Sequence, residues 1–203
     1  MRPGELFAAR FELEGVTGAG GMGEVWRALD REIFQPVALK VILRSTPDQI
    51  ARFRREAQVL AELQHPGIAR YVAHGVAEGG RHYLAMEWLE GEDLAARLAR
   101  GPLGIEESLG LAERIADTLG AVHAQGIVHR DIKPSNLLLP GGQIERVKVL
   151  DFGIAHIEDA THRLTDAPIG TPAYMAPEQV RNEASIDARA DVYALGGVLF
   201  ECL

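Results

Sequence analysis

His129-Arg130-Asp131-Ile132-Lys133-Pro134-Ser135-Asn136 brings an imidazole, a guanidinium, a carboxylate, an ammonium and a carboxamide into one short run. The run sits between a segment of helical periodicity and the apolar triplet Leu137-Leu138-Leu139, where packing gives no reason for so many polar side chains. In-line phosphoryl transfer uses such groups: a carboxylate that orients a hydroxyl and takes its proton, a cation beside the moving phosphoryl group, and an amide oxygen for a metal ion. Fifteen residues past Asn136, Asp151-Phe152-Gly153 supplies a hard carboxylate ligand of the kind Mg²⁺ prefers. Alone, Asp-Phe-Gly is an ordinary strand-ending turn. Its order and spacing behind Asp131 and Asn136 set it apart.

Upstream, Gly18-Ala19-Gly20-Gly21-Met22-Gly23-Glu24-Val25 has the spacing G-x-G-x-x-G-x-V, which by itself describes a tight hairpin equally well. A dinucleotide-binding turn would open a helix at its third glycine. Here Val25-Trp26, a Gln35-Pro36 break and Val37-Ala38-Leu39-Lys40 follow, so strand-loop-strand fits better. No Gly-Lys-Ser/Thr follows the glycines, which excludes a Walker A loop. What remains is a glycine flap whose backbone can lie close over phosphates. Lys40 on its own could snorkel to solvent. Glu56, three residues after Phe53 and four before Leu60, falls on the apolar face of its helix, where a lone carboxylate is costly. Lys40 is its candidate partner, and the pair would aim the ammonium at phosphate oxygens.

The elements that must position these groups are read from periodicity. Residues 11–43 give three short strands rich in Val, Leu, Ile and Trp. Thr46-Pro47-Asp48-Gln49 starts a helix, Ile50, Phe53, Ala57, Leu60 and Leu63 form its stripe, and His65-Pro66-Gly67 stops it. Strands over 68–76 and 82–89, joined by Glu78-Gly79-Gly80, complete a unit of five strands and one helix ending near Leu89. Helices are expected over 93–100 and 106–125, the latter with Leu109, Ala112, Ile115, Leu119 and Val122 on one face and Gly126 at its end. Short extended pieces fall at 137–139 and 147–150. The polar stretch 155–171 has the length of a functional loop.

Composition narrows the classes. The 203 residues carry 21 Lys plus Arg against 29 Asp plus Glu, a net charge of −8 that argues against broad capture of nucleic acid or anionic lipid. With 47% hydrophobic and 25% charged residues the chain is a globular protein rather than a disordered one. A single cysteine, Cys202, allows no internal disulfide, so the chain reads as intracellular or redox-indifferent. The longest apolar run, 192–200, is well short of the roughly 20 residues that span a bilayer, and no signal-peptide core follows Met1, which reads as a true start. Scattered histidines and the lone cysteine fit no zinc pattern, and no G-x-S-x-G nucleophile elbow is present. Only Lys40, Lys133 and Lys148 among the 21 basic residues are lysines, and two of them lie in the motifs above.

Together these motifs, with Ala176-Pro177-Glu178 and Asp191-Val192-Tyr193-Ala194-Leu195-Gly196, resemble the eukaryotic-like (Hanks-type) serine/threonine protein kinases of bacteria over about residues 11–203. The resemblance implies an α+β, bilobal fold: an N-terminal extension over 1–10, a small lobe of five antiparallel strands and one helix over 11–89, and a large, mainly helical lobe over 90–203. It further implies that Lys40 binds the α- and β-phosphates of ATP and pairs with Glu56, that Asp131 is the catalytic base, and that Lys133 steadies the γ-phosphate. Asn136 and Asp151 would hold Mg²⁺, with Mn²⁺ as an alternative. Thr17, Gly18, Gly20, Gly21 and Gly23 would cover the nucleotide. Adenine would lie between Val25 and Ala38 on one side and Leu138 on the other, bonded to the backbone from Glu87 to Leu89, with Met86 as gatekeeper and Asp93 reaching the ribose. Lys133 and Gly170-Thr171-Pro172-Ala173-Tyr174 are the Ser/Thr form, in which Thr171 contacts the catalytic loop. Arg130 would belong to a cationic pocket for a phosphorylated activation loop, with Thr165 the first candidate phosphosite and Thr161 the second. The implied partners are ATP, proteins bearing Ser or Thr, and a second copy of the kinase in a homodimer, in the cytoplasm and without nucleic acid.

The chain departs from the pattern at two places. Thr17 stands where a larger aliphatic residue usually covers the adenine. The sequence also stops at Glu201-Cys202-Leu203, inside the helix that begins near Asp191, so the later large-lobe helices, and with them the Arg that pairs with Glu178, are expected to be missing and an apolar patch exposed. Two readings follow: an Mg·ATP-dependent kinase, favoured by Lys40, Asp131, Asn136 and Asp151 together, or a truncated, non-catalytic module that binds nucleotide or a partner.

Overall fold

An antiparallel sheet takes shape from segments whose apolar residues alternate. The computed structural model describes residues 1–20, 23–43, 46–150, 172–181, 183 and 185–203. It contains β1 (Leu6–Phe7), β2 (Phe11–Gly20), β3 (Gly23–Asp30), β4 (Gln35–Ile42), β5 (Tyr71–Val76) and β6 (His82–Glu87), arranged β1-β2-β3-β4-β6-β5. One face buries Phe7, Phe11, Leu13, Trp26, Ala28, Val37, Leu39, Val41 and Ala85. Tyr83 meets the Phe7 and Phe11 rings edge-on at 5.6 and 5.4 Å. A sixth, two-residue edge strand thus joins the five expected. Residues 1–10 are part of the sheet and its core rather than an appendage: Phe7 is 2% exposed, and Arg10 makes a forked pair with the fully buried Asp30 (Nε–Oδ1 2.9 Å, Nη2–Oδ2 2.7 Å).

The opposite face carries Lys40 and the other residues singled out in this part of the sequence. Val25 pairs in register with Lys40, Lys40 with Leu84, and Ala38 with Met86, so their side chains share one side of the sheet. Helix α1 (Pro47–Glu62) buries Phe53, Ala57 and Leu60, and the Phe53 ring lies 6.0 Å from that of His82. His82 alternates with Leu84 and Met86 along β6, which places α1 on the Lys40 side.

By contacts the chain divides into Met1–Gln64 with Ala69–Leu89, and His65–Ile68 with Glu90–Leu203. The second unit holds a small sheet, β7 (Gly91–Asp93), β8 (Leu137–Pro140) and β9 (Lys148–Val149), and the helices α2 (Leu94–Leu98), α3 (Ile105–His123), α4 (Pro177–Val180) and α5 (Arg189–Cys202). Along α3 the buried residues are Ser108, Leu111, Ile115, Thr118, Leu119 and Val122. Leu109 is instead 57% exposed: six residues before Ile115 put it about 120° around the helix from the buried stripe. The 65–68 segment belongs to this unit because Ile68 bridges Val149 and the Val149 N–H donates to the Gly67 carbonyl at 2.8 Å. Gly67 is obligatory there, since a Cβ would meet Thr118 Oγ1 at 1.9 Å. On α5, Asp191, Ala194, Val198 and Cys202 are buried while Val192, Tyr193 and Phe200 face outward, Phe200 at 85% exposure.

Candidate active site

The 129–136 loop is fixed from beneath by one carboxylate. Asp191, near the start of α5 and 1% exposed, accepts the His129 N–H on Oδ2 at 2.8 Å and the Arg130 N–H on Oδ1 at 2.7 Å. His123 Nε2 lies 2.7 Å from the same Oδ2. Arg130 has φ +67°, the left-handed region that a residue with a Cβ adopts only under constraint. Its carbonyl accepts a hydrogen bond from Gln179 Nε2 at 2.8 Å, and the Ala176 N–H donates back to Gln179 Oε1 at 3.1 Å. The sequence reading assigned no role to Asp191 or Gln179. For Asp191 the signal was available: a carboxylate among apolar positions, the same argument that singles out Glu56.

His129 is a peg. Its Nδ1 accepts the Asp131 N–H at 3.2 Å, so Nε2 carries the proton and donates to the Leu150 carbonyl at 2.8 Å. Beside it, Asp131 Oδ2 receives Lys133 Nζ at 2.8 Å and Asn136 Nδ2 at 2.8 Å, and the same amide nitrogen reaches the Asp131 carbonyl at 2.8 Å. Asn136, 8% exposed in the turn Pro134–Asn136, thereby spends its NH₂ on Asp131 and leaves Oδ1 as an oxygen donor, the type a Mg²⁺ ion takes. That donor fits the metal. Among the described residues no three His, Cys, Asp or Glu side chains form a metal cluster. Asp151, Thr161, Thr165 and Thr171 lie outside the described residues.

In the first unit, Gly20 and Gly23 are cross-strand partners, as are Gly18 and Val25, while Gly21 lies outside the described residues. A Cβ on Gly23 would meet the Val41 carbonyl oxygen at 2.1 Å, so only glycine fits. Exposed Thr17 donates its hydroxyl to the Val25 carbonyl at 3.2 Å. Val25, Ala38, Lys40 and Met86 line the face described above, all half-buried. Glu56 falls within α1; its side chain lies outside the described residues. Glu87 is held by Arg70, whose N–H donates to Glu87 Oε1 at 2.9 Å, and half-buried Leu89 ends the unit. In the second unit Asp93 and Leu138 are register partners across β7 and β8, with Leu138 half-buried between the fully buried Leu137 and Leu139. Asp93 has a structural duty as well, since its Oδ1 accepts the Ala96 N–H at 2.8 Å and caps α2.

A further contact was not foreseen. The Tyr174 hydroxyl donates to the Glu201 carboxylate, and burial together with that carboxylate raises its pKa. Gly197 leaves room for the Tyr174 ring, which would lie 3.2 Å from an added Cβ.

Comparison with known proteins gives the family. The protein kinase domain family matches residues 11–203. The serine/threonine-protein kinase PknA of Mycobacterium tuberculosis is 41% identical over 212 residues, covering 100% of this chain and 48% of PknA. Serine/threonine-protein kinase pkn3 of Myxococcus xanthus is 38% identical over 211 residues, covering 98% of this chain and 38% of its own length. The crystal structure of Rad53 1-466 in complex with AMP-PNP superposes with a TM-score of 0.76 at 30% identity, over 96% of this chain and 48% of that one. The chain thus spans about half or less of the length of these relatives. On the family match and these identities, the chain belongs to the protein kinase domain family.

Proposed function

We propose that the chain is the catalytic part of an ATP-dependent serine/threonine protein kinase, transferring the γ-phosphoryl group of ATP to Ser or Thr hydroxyls of proteins. The observation that carries this reading is the meeting of Lys133 and Asn136 on Asp131 Oδ2. Asp131 orients the acceptor hydroxyl and takes its proton as the oxygen attacks phosphorus, and ADP departs. Lys133, already beside Asp131, offsets the charge on the transferring group. Lys40 is assigned to the α- and β-phosphates and Glu56 to its counter-charge, as the family resemblance implies. Of the nucleotide-binding residues that the resemblance implies, Val25, Ala38 and Met86 share one face of the first unit's sheet, and Leu138 and Asp93 are register partners in the second unit. Asn136 Oδ1 and Asp151 would hold Mg²⁺, which neutralises phosphate charge. The names of the relatives support Ser/Thr as acceptors, and the nucleotide named with Rad53 supports ATP.

The regulatory part of the reading assigns Thr165, ahead of Thr161, as the autophosphorylated residue and Arg130 as its receptor. Arg130 Nε is buried without a hydrogen-bond partner among the described residues, a position a phosphate oxygen would satisfy. Incubation with γ-labelled ATP, Mg²⁺ and casein, followed by phosphoamino-acid analysis, tests the whole: labelled phosphoserine or phosphothreonine is expected, and label on tyrosine or none contradicts it.

A further inference from the structure

In the second unit a cavity of about 350 Å³ opens between the 65–67 segment, α3 and the turn leading into β9, and none of its lining residues belongs to the 129–136 loop. Three cations line it, Arg114 from α3 and Arg146 and Lys148 from the β9 side, against two carboxylates, Asp117 and Glu145. Asp117 is already engaged. The Gly67 N–H donates to His65 Nδ1 at 3.1 Å, so His65 Nε2 bears the proton and directs it at Asp117 Oδ2, 3.1 Å away. Lys148 lines the cavity and is held in place, with Nζ donating to the Ile68 carbonyl at 2.9 Å. Arg114 and Arg146 make no ion pair among the described residues, although both carboxylates line the same space. In a chain of net charge −8, two guanidinium groups without carboxylate partners among the described residues line one concavity, beside the anchored Lys148. The frame is stiff, since Gly67 is pressed against Thr118 and Ile68 is bridged to Val149.

We propose that this cavity binds a phosphomonoester dianion. Two guanidinium forks match the tetrahedral, doubly charged group better than a single carboxylate, because each fork can donate two parallel hydrogen bonds to adjacent oxygens. The ligand is either a small phosphorylated molecule or a phosphorylated side chain on a peptide; the chemistry recognised is the same. The site does not depend on the phosphotransfer reading, and binding is read without turnover.

The test is titration of ¹⁵N-labelled residues 1–203 with inorganic phosphate, O-phosphoserine, a phosphoserine pentapeptide and acetate, following the Gly67 amide, whose hydrogen bond to His65 lies in the cavity wall. The three phosphates are expected to shift that amide saturably, and acetate to bind about tenfold or more weakly. The double variant R114Q/R146Q alters exposed side chains only, and it should keep the spectrum of the folded chain while losing about tenfold or more in phosphate affinity. Equal affinity for phosphate and O-phosphoserine with no gain from the pentapeptide assigns a small molecule; a markedly tighter pentapeptide assigns a phosphorylated segment. A Gly67 amide unmoved by all three phosphates, acetate binding as well as phosphate, or unchanged affinity in the double variant overturns the proposal.

Discussion

The Arg130 N–H donates to Asp191 Oδ1 at 2.7 Å across 61 positions of sequence, and this bond holds Arg130 at its positive φ one residue before Asp131. The other oxygen serves His129 and His123, so removing the carboxylate strands several donors in a buried place. Asp191→Ala is therefore expected to lower stability by about 3 kcal/mol in urea unfolding. Even where the variant is folded, phosphate transfer should fall about 100-fold, because the loop bearing Asp131 shifts. Wild-type stability and rate in the variant would contradict this.

Acid unfolding should report the Arg10–Asp30 pair. Burial alone would raise the Asp30 carboxyl, but the Arg10 fork and the N–H groups of Glu32 and Ile33 outweigh it and hold it below the ordinary 3.8. A depressed carboxylate contributes stability that is complete above its unfolded value and lost as pH falls through the lower folded value. Asp30→Asn should therefore cost about 2 kcal/mol near neutral pH, with the gap to wild type narrowing below about pH 4. A gap in urea midpoint independent of pH would refute the assignment.

His82 works in a different window. Burial first, and the charge of Arg54 second, push its pKa below the ordinary 6.5. The folded chain thus keeps the ring neutral while the unfolded chain binds the proton, so stability present above about pH 6.5 is lost as pH falls toward the folded value. Replacing His82 by Leu should remove part of the loss seen between about pH 7.5 and pH 5.5, and thermal unfolding at both pH values measures it. An unchanged pH dependence in His82→Leu would count against a buried neutral ring.

Cys202 is fully buried on α5, and its thiol is pushed up to about 11 by burial and by Glu201. Thiolate is the reactive form, so a disulfide reagent at neutral pH should react slowly with the native chain and rapidly in urea. The rate then reports the docking of α5, where the Leu103 N–H donates to the Cys202 carbonyl at 2.7 Å. Fast labelling under native conditions would mean that α5 is not seated as described.

What was legible in the sequence follows the range of the interactions. The glycine turn, the Val37-to-Lys40 strand, the Asp131 loop and most helices and strands could be read because each is written in consecutive residues. The β1 strand was not, because its turn uses Ala8 and Ala9 at φ +51° and +55° where Gly or Asn would have announced it. Leu109 departs from the expected stripe because it lies about 120° around α3 from Ile115, and an apolar side chain is not by itself a buried one. Asp191 stands out as a carboxylate among apolar positions, but its partners 61 positions away do not, and the duty of Gln179, whose partner lies 49 positions away, carries no local signal. The cavity around Arg114 and Arg146 draws on three separate segments, none of which reads as a motif.

The most direct test of phosphotransfer by this chain is the intact mass of residues 1–203 before and after Mg·ATP, with Asp131→Asn in parallel. The account predicts added phosphate in the wild type and at least about 100-fold slower addition in the variant. A folded, ATP-binding wild type that gains no mass, or a variant that gains it equally fast, would contradict the role given to Asp131.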